Sequence, residues 1–86
     1  MAKYDLLISQ SAEKTLKKLP SKEATKVAIA IKKLAIDPRP QGCRKLYDEA
    51  DTYRVRVGVY RIIYEVKDRL LRILVLKIGH RKDVYR

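Results

Sequence analysis

The chain is short of cysteine, histidine, acidic residues and long apolar runs, and each shortage closes a class of function. Cys43 stands alone, so no internal disulfide can form. The cross-linking that stabilises small secreted domains is therefore absent, a reducing cytoplasm is the expected setting, and Cys43 itself is read as inert. His80 is the one histidine, and the acids are scattered. With no Cys/His cluster and no His pair at ligand spacing, no metal and no cofactor are assigned. The opening MAKYDLLISQ holds an apolar stretch of three residues, where an export signal needs about seven or more. No window approaches the roughly 18 apolar residues of a membrane span.

What is present is a chain of 86 residues, 47% hydrophobic and 36% charged. That length fits one small domain, 1–86, and leaves no room for a second catalytic domain. The composition is too apolar for a disordered segment, so folding around a thin core is expected. Twenty-one Lys and Arg against ten Asp and Glu give +11, an excess that favours a polyanionic partner, with nucleic acid the first candidate.

Tyr4 to Ile8 is short and mostly apolar, and Ser9 after it is suited to accept hydrogen bonds from the first turn of a helix. Leu16 and Leu19 follow Ala12 at i+4 and i+7, an amphipathic helix that Pro20 ends. From Ser21 a second helix places Ala24, Val27, Ala28, Ile31, Leu34 and Ala35 on one stripe, until Pro38 and Pro40 in DPRP stop it. Residues 38–52 read as a connecting loop with Leu46 and Tyr47 as anchors. Tyr53, Val55 and Val57 then alternate with Arg54 and Arg56. After a turn near Gly58, Tyr60, Ile62, Tyr64 and Val66 share one face while Arg61, Ile63 and Glu65 share the other. A turn at Lys67-Asp68 leads to Leu70–Ile78, apolar on both faces as expected of a strand with a neighbour on each side. The order β-α-α-β-β-β predicts an α+β fold, a two-helix hairpin on one face of a small, mainly antiparallel sheet.

The uncovered face then carries Arg54, Arg56 and Arg61, three cations within eight residues. Directly after the last strand, GHRKDVYR adds His80, further cations and the phenol of Tyr85. If these groups meet, guanidinium groups offer paired hydrogen bonds to a phosphate, and His80 and Tyr85 are able to move protons. Cleavage of a phosphodiester without metal needs those parts: a base, charge to stabilise the phosphorane, and an acid for the leaving oxygen. In RNA the neighbouring 2′-OH supplies the nucleophile.

Along nearly its whole length the chain resembles the RelE/ParE toxin superfamily, and most closely RelE-type messenger-RNA interferases. The pieces that carry the resemblance are LKKLP at the helix end, the DPRP loop, KLYDEADTYRVRVGVYRIIYEV through the middle strands, and the terminal LKIGHRKDVYR. The resemblance implies two helices against a curved antiparallel sheet, a RelB-like antitoxin in a toxin–antitoxin hetero-oligomer, and cleavage of mRNA in the ribosomal A site. It also implies roles. The two basic residues of the second strand fall on Arg54 and Arg56, the next-strand arginine on Arg61, the post-strand arginine on Arg81 and the terminal tyrosine on Tyr85. Better-known members resemble Lys-x-Lys where this chain has Arg54-Val55-Arg56, and guanidinium does not readily exchange protons near neutral pH. Arg54 and Arg56 are therefore expected to bind RNA, beside His80. Arg61 and Arg81 are assigned to the scissile phosphate and Tyr85 to proton transfer.

Alternatives stay open at this point. His80 competes with Tyr85 as proton carrier, and Arg61 has Glu65 two positions on along its own strand. Lys14, Lys17 and Lys18 form a basic stripe on the first helix that suits either solvent or ribosomal RNA phosphates. Tyr53, Tyr60 and Tyr64 are read as core. A ParE-like gyrase poison that cuts no RNA, and an RNA-binding module without activity, are the rival functions.

Overall fold

In the computed structural model of the chain, which describes residues 3–46 and 50–80, two helices pack against one five-stranded sheet. β1 (Asp5–Ile8) leads into α1 (Gln10–Lys18) and α2 (Ser21–Leu34). β2 (Arg44–Lys45), β3 (Thr52–Val57), β4 (Tyr60–Lys67) and β5 (Arg72–His80) follow. The strands lie in the order β1-β5-β4-β3-β2. β1 runs parallel to β5, and the other neighbours are antiparallel. The α+β architecture and the helix hairpin are as the sequence predicts, with one strand added. β2 lies inside the segment read as a loop, because two residues are too few to show any periodicity.

Ser9 works in both directions at the first joint. Its backbone N–H donates to Val75 O at 2.9 Å, extending the β1–β5 ladder. Its hydroxyl donates to Leu76 O at 2.7 Å and accepts from the Ala12 N–H at 3.0 Å, which starts α1. Pro20 stands between the helices. α2 buries Val27, Ile31 and Leu34, the i, i+4, i+7 stripe of its sequence, and ends at Leu34, short of Pro38. The backbone N–H groups of Lys3 and Tyr4 donate to Ala35 O, tying the start of the chain to the end of that helix.

The core lies between the helices and the sheet. Ala12, Val27, Ile31 and Leu34 meet Ile62, Tyr64, Val66, Ile73, Val75 and Ile78, and Tyr53 and Tyr60 pack against this group half-buried. The three tyrosines thus serve the core, as expected. β3 and β4 join through Gly58-Val59. Gly58 has φ +61° at the first central position, the place a type II′ hairpin turn reserves for glycine. A bulge interrupts the β4–β5 ladder: Ile63 pairs with Lys77 but Tyr64 with Val75, leaving Leu76 as an extra residue.

Candidate functional site

The β3–β4 register fixes the side of the sheet on which each arginine lies. Arg54 is the partner of Ile63 and Arg56 the partner of Arg61, while Tyr53, Val55 and Val57 take the helix side with the core. On the other side of β3, Arg44 of β2 is the partner of Arg54. The sheet face opposite the helices therefore carries two successive arginine–arginine cross-strand pairs. Arg44, Arg54, Arg56 and Arg61, with Gln41, Gly42 and Val55, line an open concavity of about 340 Å³. Among the described residues, none that lines it is acidic. The ion pairs among the described residues, Arg39–Asp68 and Lys67–Asp51, lie elsewhere. Glu65 consequently does not neutralise Arg61, and the pairing left open from the sequence is not made.

Next to the arginines this face carries an apolar patch. Leu46 and Ile63 are buried against each other with Leu76 beside them, a small second cluster that seats the chain just after β2. The backbone on the other side of β2 is held as firmly. Cys43 N–H donates to Pro40 O at 3.0 Å, and Gly42 takes φ +93°, a left-handed value that lets the chain turn back into the ladder.

The DPRP loop that delivers this turn is clasped to the far end of the sheet. The Arg39 guanidinium makes two hydrogen bonds to the Asp68 carboxylate, at 2.8 and 3.3 Å, and donates from Nε to the Tyr53 hydroxyl at 3.0 Å. It also lies 5.1 Å from the centre of the Tyr53 ring. Tyr4 donates its hydroxyl to Asp68 at 2.7 Å, and Tyr64 donates to Pro38 O at 2.7 Å. These contacts shift the groups concerned. The hydrogen bond to Asp68 raises Arg39 above its ordinary value. The bonds from Arg39 and then Tyr4 hold Asp68 below the usual carboxylate range. Its bond to Asp68 raises the Tyr4 phenol, and burial, followed by the neighbouring Cys43 thiol, raises that of Tyr64.

Of the residues assigned from sequence, Arg54, Arg56 and Arg61 are brought together. Arg44 joins them unforeseen; its only sequence signal is a short charged pair before Leu46. His80 is placed differently. It is the partner of Tyr60, and the two rings meet edge-on at 5.9 Å, on the side where Tyr60 packs against the main core. Lys14, Lys17 and Lys18 are exposed on α1, in the helix layer across the sheet from the concavity. Arg81 and Tyr85 lie outside the described residues. Chemically, the assembled part is a charged cradle. Four guanidiniums can bind and neutralise a phosphate dianion, and they hold no proton that exchanges readily near pH 7.

A two-helix layer on a sheet with its cations gathered on the open face is the architecture of a small type II toxin. The chain matches the family described as the ParE toxin of type II toxin–antitoxin system, parDE, over residues 6–85, and it belongs to that family within the RelE/ParE superfamily. It is 31% identical over 84 residues to toxin RelG of Mycobacterium tuberculosis, covering 96% of this chain and 97% of that one. It is 32% identical over 89 residues to putative toxin RelE1 of Methanocaldococcus jannaschii, covering 98% and 97%. Among solved structures, the archaeal RelE–RelB complex from Pyrococcus horikoshii is similar with a TM-score of 0.84 and 29% identity, covering 95% of this chain and 99% of the other.

Proposed function

We propose that this toxin cuts messenger RNA in the ribosomal A site and thereby stops translation. The observation that carries the proposal is the concavity lined by Arg44, Arg54, Arg56 and Arg61, with no acid among its described lining residues. A neutral ligand gives no return for two like-charge pairs set opposite one another, whereas a phosphodiester being broken does. In the proposed reaction the 2′-oxygen attacks the adjacent phosphorus as its proton passes to the base. The P–O5′ bond then breaks, and the 5′-oxygen leaves with a proton. The products are a 2′,3′-cyclic phosphate and a 5′-OH, formed without metal. Arg61 and Arg81 stabilise the phosphorane, Arg54 and Arg56 hold the strand, and Tyr85 moves the proton. For Tyr85 to act as base its phenol must be made more acidic. One cation about 5 Å away contributes roughly 3 kcal/mol at an effective dielectric of about 20, so two or three guanidiniums suffice. Since the P. horikoshii relative was crystallised as a complex of RelE with RelB, a RelB-like antitoxin is the expected partner in a hetero-oligomer. The whole of 1–86 acts as one cytoplasmic toxin domain, and Lys14, Lys17 and Lys18 touch ribosomal RNA.

The family's description by ParE favours a second reading, a gyrase poison. Three incubations of the purified protein separate them: mRNA alone, mRNA on ribosomes, and gyrase with plasmid. Cuts on ribosomes with cyclic-phosphate ends, unaffected by chelator, are expected, and Tyr85→Phe lowers the rate about 10- to 1000-fold. Trapped gyrase with intact mRNA defeats the proposal, and an unchanged Tyr85→Phe rate removes Tyr85 from proton transfer.

A further inference from the structure

Arg44 reaches the concavity from an edge strand of two residues. It faces Arg54 across the ladder. The backbone that carries it is nonetheless fixed on both sides, by Cys43 N–H to Pro40 O before it and Leu46 N–H to Thr52 O at 2.9 Å after it. Leu46 is buried against Ile63. A surface cation held by such an anchored pair of residues is presented rather than merely tolerated.

The spacing of the pairs suggests what it is presented to. Arg54, paired with Arg44, and Arg56, paired with Arg61, are successive same-face residues of β3, about 7 Å apart for two residues of extended strand. That is the step from one phosphate to the next in an extended single-stranded nucleic acid. At about 340 Å³, the concavity is also larger than one phosphate group needs.

We propose that Arg44, with Arg54, binds the phosphate one nucleotide away from the scissile one, while Arg56 and Arg61 take the scissile phosphate. This rests on the ribonuclease reading and adds a substrate-binding residue to it. Arg44 touches no reacting atom; it sets the register of the strand so that the correct linkage lies over Arg56 and Arg61.

The test uses the full chain and a short 2′-O-methyl RNA, which binds but cannot be cut, read by fluorescence anisotropy. Neutral methylphosphonate replaces each linkage in turn. Arg44→Ala is expected to weaken binding of the unmodified oligonucleotide about 5- to 20-fold and to shrink the slope of log affinity against log salt by about 0.7, one single-strand contact. One methylphosphonate position should weaken the wild type markedly more than it weakens Arg44→Ala, which keeps only the Arg54 contact there, and the neighbouring position should weaken both equally. Arg44→Lys should recover the salt slope and only part of the affinity, since it keeps the charge and loses the planar fork. Circular dichroism melts confirm that both variants are folded. Wild-type affinity in Arg44→Ala, or equal sensitivity of both proteins to every methylphosphonate, overturns the inference and leaves the ribonuclease reading standing. The single-position signature without cleavage of mRNA on ribosomes overturns the ribonuclease reading and leaves the two-phosphate site. No binding by the wild type overturns the inference and leaves the ribonuclease reading to the ribosome assay.

Discussion

Replacing Arg56 by Gln should stabilise the fold while impairing the site. Arg56 is exposed and stands opposite Arg61, and neither joins an ion pair among the described residues. Cross-strand Cβ atoms lie about 4.5–5.5 Å apart. With the guanidiniums splayed to about 7 Å, an effective dielectric of about 40–80 gives a repulsion of roughly 0.6–1.2 kcal/mol. Glutamine keeps part of the stem and removes the charge, at a cost of a few tenths of a kcal/mol in packing. The net gain of about 0.5–1 kcal/mol raises Tm by about 2–8 °C for a domain of this size. Because the groups face solvent, salt must erode the gain: the screening length falls from about 30 Å at 0.01 M to about 3 Å at 1 M. Thermal melts by circular dichroism at low and high salt measure this directly. Inorganic phosphate should raise the Tm of the wild type more than that of Arg56→Gln, since it binds the native cradle. A lower Tm for Arg56→Gln at low salt, or a gain indifferent to salt, refutes the claim that the Arg56–Arg61 pair strains the sheet.

Two further outcomes concern the clasp beneath the site. Tyr64→Phe removes the hydrogen bond to Pro38 O from a side chain with 0% exposure, and should cost about 1–2 kcal/mol, or about 5–15 °C in Tm; an unchanged melt would mean that water replaces the bond at no cost. Asp68 is held below the usual carboxylate range by Arg39 and Tyr4. Its contribution is therefore complete above the unfolded carboxylate's pKa of about 4 and is lost as pH falls through the lower folded value. The Tm gap between wild type and Asp68→Asn should close on acidification below about pH 4, and a gap that stays constant down to about pH 2 would contradict the linkage.

The helix hairpin was legible because its signals are local. Ser9 and Pro20 mark the ends, and Val27, Ile31 and Leu34 mark the buried stripe. Arg54, Arg56 and Arg61 were legible as one face for the same reason, since alternation within a strand settles the side on which a residue lies. β2 was not. Arg44 and Lys45 form a strand only because β3 lies beside them, and a pairing partner supplied by distant sequence leaves no pattern in two residues. The side taken by His80 was hidden for a related reason: alternation counted along β5 alone does not register the extra residue in its ladder. Ile63 was legible on the arginine face from the same alternation, but its burial against Leu46, with Leu76 beside them, was not, because the three come from separate stretches of the chain. Arg81 and Tyr85 fall outside the described residues, and their roles rest on likeness to RelE-type toxins.

Leu76, the unpaired residue of β5, works as a phase change for everything downstream. It sends Ile78 into the interior at 2% exposure, leaves Lys77 outside, and puts Gly79 next to Arg61. Had the ladder run without it, Ile78 would stand next to Arg61 and roof over the guanidinium with a branched hydrocarbon. Glycine leaves that approach bare. One supernumerary amide thus decides whether whatever enters the concavity meets charge or grease at that edge.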